Sequence, residues 1–310
     1  MRLLFLGAGA IGGYFGGRLA AAGVDTTFLV RPLRAAALAS DGLVVLSPLG
    51  DLHLRPVVTL TQAGAGFDAV VLSCKAYDLG EAMSAIAPAV DGGAPVLPLL
   101  NGLRHLDALD ARFGRERVLG GLCHAGVTLT GTGEIRHLNR LQHLAFGLRD
   151  PRQAGLCETL HTTLARGGFV PVLSPDITHD MWEKFILLAS YAGMTCLMRA
   201  PVGAIVAANE GRALMLEMLA ECAAVSASVG RPPRPQFLGE TRAMLTERGS
   251  PGAASMLRDI LRGAPTEHEH IIGDMLARAR ASGVATPLLR VANVHLQAYE
   301  AVRTQEMAAG

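Results

Sequence analysis

Arg2-Leu3-Leu4-Phe5-Leu6-Gly7-Ala8-Gly9-Ala10-Ile11-Gly12-Gly13-Tyr14-Phe15-Gly16-Gly17-Arg18-Leu19-Ala20, residues 2–20, opens the chain and decides how the rest is read. Arg2–Leu6 is a continuous apolar strand. Ile11–Ala22 has helical character, and Gly23 stands where a helix stops. Between them Gly7, Gly9 and Gly12 form GxGxxG in the strand–turn–helix setting that gives the spacing meaning. Gly7 allows a sharp turn. Gly9 lets backbone N–H groups approach a pyrophosphate with no Cβ in the way, and Gly12 lets the helix pack close to the strand. The loop from Gly7 through Ala8, Gly9, Ala10 and Ile11 to Gly12 is therefore a candidate phosphate cradle. It lies at a helix N-terminus, whose free donors favour anions. A glycine-rich turn with no ligand is the bland alternative.

Working outward, Thr26–Val30, Ala69–Ser73 and Pro95–Leu99 read as further strands, with a helix over Ala76–Val90. Strands alternating with helices predict a parallel, doubly wound α/β sheet with helices on both faces. The second strand ends Phe28-Leu29-Val30-Arg31. An NAD site usually has an acid there to accept from the ribose 2′-hydroxyl. Asp25 lies before the strand, Arg31 stands at the acid's place, and Arg34 follows one turn on. A guanidinium suits a 2′-phosphate, so the residues predict NADP(H). The competing reading is that Arg31 is a solvated surface residue. Lys75 and Asn101 follow two other strands, and ligands in such sheets sit outside the strands' carboxyl ends. Asn101-Gly102 is equally a turn signal.

The remaining composition narrows the class. The chain has 310 residues, 50% of them hydrophobic and 18% charged, which excludes general disorder. A net charge of +1 supplies no broad field for nucleic acid or an anionic membrane. Five cysteines, an odd number with no CxxC, argue for buried unpaired thiols and a cytoplasmic location. Met1-Arg2, an apolar stretch and Ala20–Ala22 could pass for a signal peptide, but the glycines disfavour a helical core there. The longest uncharged apolar run, Phe185–Met198, has 14 residues, short of the roughly 17 a spanning helix needs. Glycine use falls from 25 in residues 1–175 to 11 in 176–310. The later part carries helical signals over Met181–Met198, Glu210–Ser228, Gln236–Glu247, Glu267–Ala281 and Pro287–Val302. The expected organisation is a Rossmann-like dinucleotide domain, 1–175, and an all-helical domain, 176–310, with a fraying tail at 306–310. Glu267-His268-Glu269-His270 lacks metal-ligand spacing, so no metal is expected. His137 and His143 read as satisfied strand or turn residues.

GAGAIGGYFGGRLA at 7–20, SCKAYD at 73–78, LNGL at 100–103, HAG at 124–126, WEKF at 182–185, SMLRDI at 255–260 and PTEHEHIIGDMLARARASGVATP at 265–287 span nearly the whole chain. In this order they resemble the ketopantoate reductase (2-dehydropantoate 2-reductase) family. The resemblance implies NADPH-dependent reduction of a 2-oxo acid to a 2-hydroxy acid, with 2-dehydropantoate to pantoate as the leading candidate and pantothenate biosynthesis as its setting. It also implies site roles. Lys184 matches a catalytic lysine and Glu267 a glutamate of the active site. Ser255 matches a substrate contact. Asn101 matches a residue touching cofactor and substrate, and Lys75 and the backbone of Ala125 match cofactor contacts. The chemistry suits a lysine: charge builds on a carbonyl oxygen as hydride arrives, and the alkoxide needs a proton. Burial lowers a lysine's pKa and makes it a better acid near neutrality. Read alone, Lys184 would be a solvated helix residue.

The chain departs from the family where asparagines are usual. Those positions read Leu188, Ala192 and Val202, with Ser190, Tyr191 and Thr195 expected on other helix faces. Apolar side chains there favour a less polar oxo acid or ketone, since a site built to hydrogen-bond its substrate discriminates strongly. A non-catalytic NADP(H)-binding sensor is the alternative from another class. The expected partner is a small-molecule oxo acid, with neither nucleic acid nor membrane, and a homodimer is left open.

Overall fold

The computed structural model of the chain describes residues 1–55 and 58–309, and side chains through residue 306. Ten strands are formed among the described residues: β1 (Arg2–Leu6), β2 (Asp25–Leu29), β3 (Leu43–Leu46), β4 (Leu52–Leu54), β5 (Thr59–Leu60), β6 (Ala69–Leu72), β7 (Val96–Pro98), β8 (Gly120–Leu129), β9 (Ile135–Gly147) and β10 (Pro171–Leu173). The early helices are α1 (Ala10–Ala21), α2 (Pro32–Asp41), α3 (Leu79–Asp91), α4 (Arg104–Phe113) and α5 (Ala154–Ala165). The later ones are α6 (Ile177–Met198), α7 (Val202–Ala207), α8 (Gly211–Ser228), α9 (Pro235–Leu245), α10 (Ser255–Leu261), α11 (Asp274–Ala281) and α12 (Pro287–Ala309). The chain divides into two compact units: Met1–Leu100 with His105–Thr178, and Asn101–Arg104 with His179–Gly310. Residues 101–104 group with the helical unit although they lie far upstream of it.

The first unit contains an all-parallel sheet in the order β5-β2-β1-β6-β7. The central strand β1 carries Leu3, Leu4 and Phe5 fully buried, as a strand covered on both faces requires. This is the Rossmann-like arrangement that the opening stretch predicts.

A second sheet, in the order β10-β9-β3-β4 with β8 antiparallel to β9, was not anticipated. It is mixed, because β9 runs parallel to both β3 and β10. Helix α1 packs against both sheets, and its glycines explain how. A Cβ on Gly16 would lie 2.7 Å from the Phe28 ring of the first sheet. One on Gly13 would lie 2.3 Å from Ile135 Cδ1, and one on Gly17 2.7 Å from Leu43 Cδ2, both in the second. Tyr14, on the same helix, is fully buried and donates its hydroxyl to Gln142 Oε1 at 2.8 Å. His137 is satisfied as expected, bonded through its ring nitrogens to Ser47 Oγ and Leu141 O.

The second unit is helical, with no strand among the described residues. Phe185, Met194, Met218, Cys222, Met275 and Leu296 are all fully buried at its core. Glu221 of α8 accepts the backbone N–H groups of Leu288 and Leu289, both at 2.9 Å, and so caps α12. The predicted helix from Glu267 starts instead as a π-helical turn, Glu269–Gly273. Helix α12 runs to Ala309, and Gly310 lies outside the described residues. No disulfide links the five cysteines; four are buried and Cys74 is half-exposed. No described helix is long and apolar enough to cross a membrane.

Candidate functional site

The glycine loop takes the conformation its sequence demands. Gly7 has φ of +95°, a region that favours glycine, and its N–H donates to Leu29 O at 2.9 Å. A Cβ on Gly12 would sit 2.2 Å from Gly7 O and 2.3 Å from Ser73 Oγ, so no larger residue fits. Ser73 itself donates to Leu6 O at 2.9 Å and ties the end of β6 to the end of β1. Gly9 differs: a Cβ there would meet nothing within 4 Å. The space over Gly9 is open. Ala10 and Ile11 begin α1, whose first turn has neither an acidic residue nor a capping side chain to occupy its donors. An open cradle of this kind fits a dinucleotide pyrophosphate.

Around this loop stand the other first-unit candidates. Arg31 is the N-cap of α2 and is exposed. Its Nη2 lies 3.1 Å from Asp78 Oδ1 and also bonds Glu81 Oε2. The hydrogen bonds it donates to Glu81 and Asp78 raise its pKa. Sequence reasoning placed Arg31 correctly at the end of β2 but missed both carboxylates. It also missed what Arg34 does: Nε and Nη2 donate to Ala8 O at 3.2 and 3.0 Å, bracing the loop from outside. Burial lowers the Arg34 pKa. Lys75 is exposed at the N-cap of the short 3₁₀ turn Ala76–Asp78, following β6. Ala125 lies in β8 at the bulge between Ala125 and Val127.

The other candidates belong to the second unit. Lys184 is 7% exposed on α6, and Glu267 is 9% exposed. Their neighbours meet at one point. Gly102 has φ of +77°, and a Cβ there would lie 2.4 Å from His270 O and 3.8 Å from Phe185 Cε2. The turn bearing Asn101 is thus packed against the segment following Glu267 and against the residue next to Lys184. His270 N–H donates to Glu267 O at 3.1 Å, and burial, then the charge of Arg104, lowers the His270 pKa. Ser255 is exposed as the first residue of α10. Its neighbour Ala254 donates to Thr195 Oγ1 of α6 at 3.4 Å.

Helix α6 is held by a second network. The buried carboxylate of Glu183 accepts from Arg234 N at 2.8 Å and from Arg234 Nε at 3.0 Å. Arg234 also bonds Asp180. The residue beside Lys184 is thereby fixed to the loop that precedes α9.

The polar residues near Lys184 need a correction. Ser190 and Thr195 spend their hydroxyls on their own helix, bonding Ile186 O and Tyr191 O. Tyr191 and Thr195 do not lie on another face: seven and eleven residues from Lys184, they return to within about 20° of it around the helix. Tyr191 differs in its surroundings. Its ring is half-buried near Gly252, and burial raises its pKa against the opposing charge of Arg258. Leu188 is half-buried, whereas Ala192 and Val202 are buried.

A parallel sheet with an open glycine loop, joined in one chain to a helical unit with a buried lysine, defines a dinucleotide-dependent oxidoreductase. Two family models match the chain. "Ketopantoate reductase PanE/ApbA" covers residues 3–151, and its C-terminal counterpart covers 176–300. The protein belongs to the ketopantoate reductase family. It is 34% identical to Uncharacterized oxidoreductase YkpB of Bacillus subtilis (strain 168), over 97% of this chain and 99% of that one. It is 29% identical to the 2-dehydropantoate 2-reductase of Mesorhizobium japonicum, over 93% and 94%. The solved 2-dehydropantoate 2-reductase of Geobacter metallireducens GS-15 superposes with a TM-score of 0.87, at 28% identity, covering 96% of this chain and 99% of that one.

Proposed function

We propose that the protein uses NADPH to reduce a 2-oxo acid to the corresponding 2-hydroxy acid, with 2-dehydropantoate the leading substrate. The observation that carries this reading is the burial of Lys184 on α6, with Asn101 and Glu267 on segments that converge beside it at Gly102. A shielded ammonium group stabilises a carbonyl oxygen that gains charge more strongly than a solvated one does.

Gly7, Ala8, Gly9, Ala10, Ile11 and Gly12 would hold the pyrophosphate through their backbone, Arg31 the 2′-phosphate, and Lys75, Asn101 and the Ala125 backbone the rest of the cofactor. When bound, the nicotinamide supplies the hydride that adds to the carbonyl carbon. Lys184 Nζ donates a hydrogen bond to the carbonyl oxygen and then gives that oxygen a proton. Glu267 orients the lysine or accepts from a substrate hydroxyl. Ser255 Oγ hydrogen-bonds the substrate.

A second reading has a specific observation behind it. Leu188, Ala192 and Val202 present no amide to a polar substrate tail. This favours an oxo acid whose far end is less polar than that of 2-dehydropantoate. One experiment tests both readings: following NADPH oxidation over a panel of 2-oxo acids, with wild type and Lys184→Ala. The lysine variant should lose about 10²–10⁴ in kcat on every accepted substrate, the range for a positioned acid, while still binding NADPH. Full turnover by the variant would remove Lys184 from the mechanism. No turnover of any oxo acid by the wild type would favour a nucleotide sensor.

A further inference from the structure

We propose that Asp78 and Glu81 form a carboxylate clamp on Arg31 and so set how strongly the protein prefers a 2′-phosphorylated dinucleotide over one with a free 2′-hydroxyl. The inference rests on the reading above that Arg31 stands at the ribose end of a bound dinucleotide.

Topology brings the three residues together. Strands β2 and β6 flank β1, so their carboxyl ends are about 10 Å apart, two strand spacings. Arg31 follows β2. Asp78 closes the 3₁₀ turn after β6, and Glu81 lies in the first turn of α3. The guanidinium and the two carboxylates bridge that gap beside the strand that feeds the glycine loop. One Arg31 nitrogen, Nη2, serves both acids.

Charge follows from the count. One cation faces two anions, so the cluster carries a formal charge of −1 where a 2′-phosphate would arrive with nearly two negative charges of its own. The Arg34 guanidinium is engaged by Ala8 O and partly buried, which leaves Arg31 as the cation the carboxylates hold. A phosphate must therefore take Arg31 from at least one carboxylate while enduring repulsion from the other. A free 2′-hydroxyl meets the opposite situation, since a carboxylate beside it can accept a hydrogen bond from it. The clamp is breakable: side-chain exposures of 63% for Arg31, 32% for Asp78 and 66% for Glu81 leave all three in contact with water. It narrows discrimination between the two cofactors rather than reversing it.

The test uses the full-length protein and two ligands that carry only the adenosine end, 2′,5′-ADP and 5′-AMP, titrated by calorimetry with no turnover involved. The quantity read is the ratio of their dissociation constants. Glu81→Gln should raise the preference for 2′,5′-ADP about fivefold, an exposed ion pair and the matching repulsion each contributing roughly two- to threefold. Asp78→Asn should move it the same way, and Arg31→Ala should collapse it toward one. A preference that falls in Arg31→Ala but does not rise in either acid variant overturns the clamp and leaves Arg31 at the phosphate. A preference unchanged by Arg31→Ala overturns both the clamp and the placement it rests on. Thermal melts of each variant confirm that the comparison is between folded proteins.

Discussion

Gly9→Ala separates the ligand-facing role of a loop glycine from its folding role. Gly9 has φ of −84° and ψ of −159°, an extended conformation open to any residue, and the added methyl group meets nothing within 4 Å. The folded protein therefore suffers no strain. The unfolded chain loses freedom, so stability should hold or rise by up to about 1 kcal/mol. The same methyl group stands where a pyrophosphate must approach the loop's N–H groups. If it costs as much as an extra methylene in a packed site, about 1–3 kcal/mol, the dissociation constant for NADPH rises roughly 5- to 150-fold. Urea melts and a fluorescence titration with NADPH on the same preparation measure both quantities. Gly12→Ala is the contrast: its Cβ would strike Gly7 O at 2.2 Å, so that variant should lose stability as well. A Gly9→Ala protein that binds NADPH as tightly as wild type would refute the cradle. One that melts well below wild type would refute the claim of open space.

Two further outcomes follow from the helical unit. Arg234→Ala removes the guanidinium from the Glu183 carboxylate, 8% exposed, and leaves it the backbone N–H of residue 234 and His179 Nε2 at 3.5 Å. Breaking a fully buried pair costs about 3–5 kcal/mol; with Arg234 itself 55% exposed, about 1–2 kcal/mol is expected in a urea melt, and Arg234→Lys should recover little of it because one ammonium cannot match the fork. The second outcome concerns pH. Burial lowers the pKa of His270, with Arg104 adding to it, and of His295, with Arg199 adding to it. A hydrogen bond to the Cys196 backbone opposes the shift at His295 without reversing it. Below the ordinary histidine value of 6.5 the unfolded chain binds protons that the folded one resists. Stability should thus be fullest above that value, fall as pH drops through it, and level off below the folded-state pKa. Melts at pH 7.5 and 5.5 read the slope, and His295→Gln should flatten it; an unchanged slope would assign the loss to other groups.

The path from strand to glycine loop to helix was legible because each step has its own local chemistry: an apolar run, turn-permitting glycines and a helical pattern. The second sheet was not. Strand β9 carries Arg136, Asn139 and Arg140 on exposed positions and becomes apolar only near Leu144, so no single window shows clean alternation. The glycines of Thr130-Gly131-Thr132-Gly133-Glu134, between Leu129 and Ile135, were the available hairpin signal. Helix α2 was missed although Pro32 marks its first position. At the candidate site, Lys184 and Glu267 were named through resemblance and Asn101 also through its place after a strand, and local sequence gave no reason to bury the lysine. The partners of Arg31 lie 47 and 50 residues away, and only the strand order brings them near. Arg34 grips a backbone carbonyl, which carries no side-chain signature at all.

The double engagement of α1 limits how this protein can be altered. Gly13 and Gly17 face one sheet and Gly16 the other, so the helix behind the phosphate loop is a wedge with no slack on either side. Redesign of nucleotide choice therefore has little room in that helix, where any enlargement pries two layers apart. Freedom lies at the solvent-facing ends of β2 and α3, whose side chains can be exchanged without moving the frame.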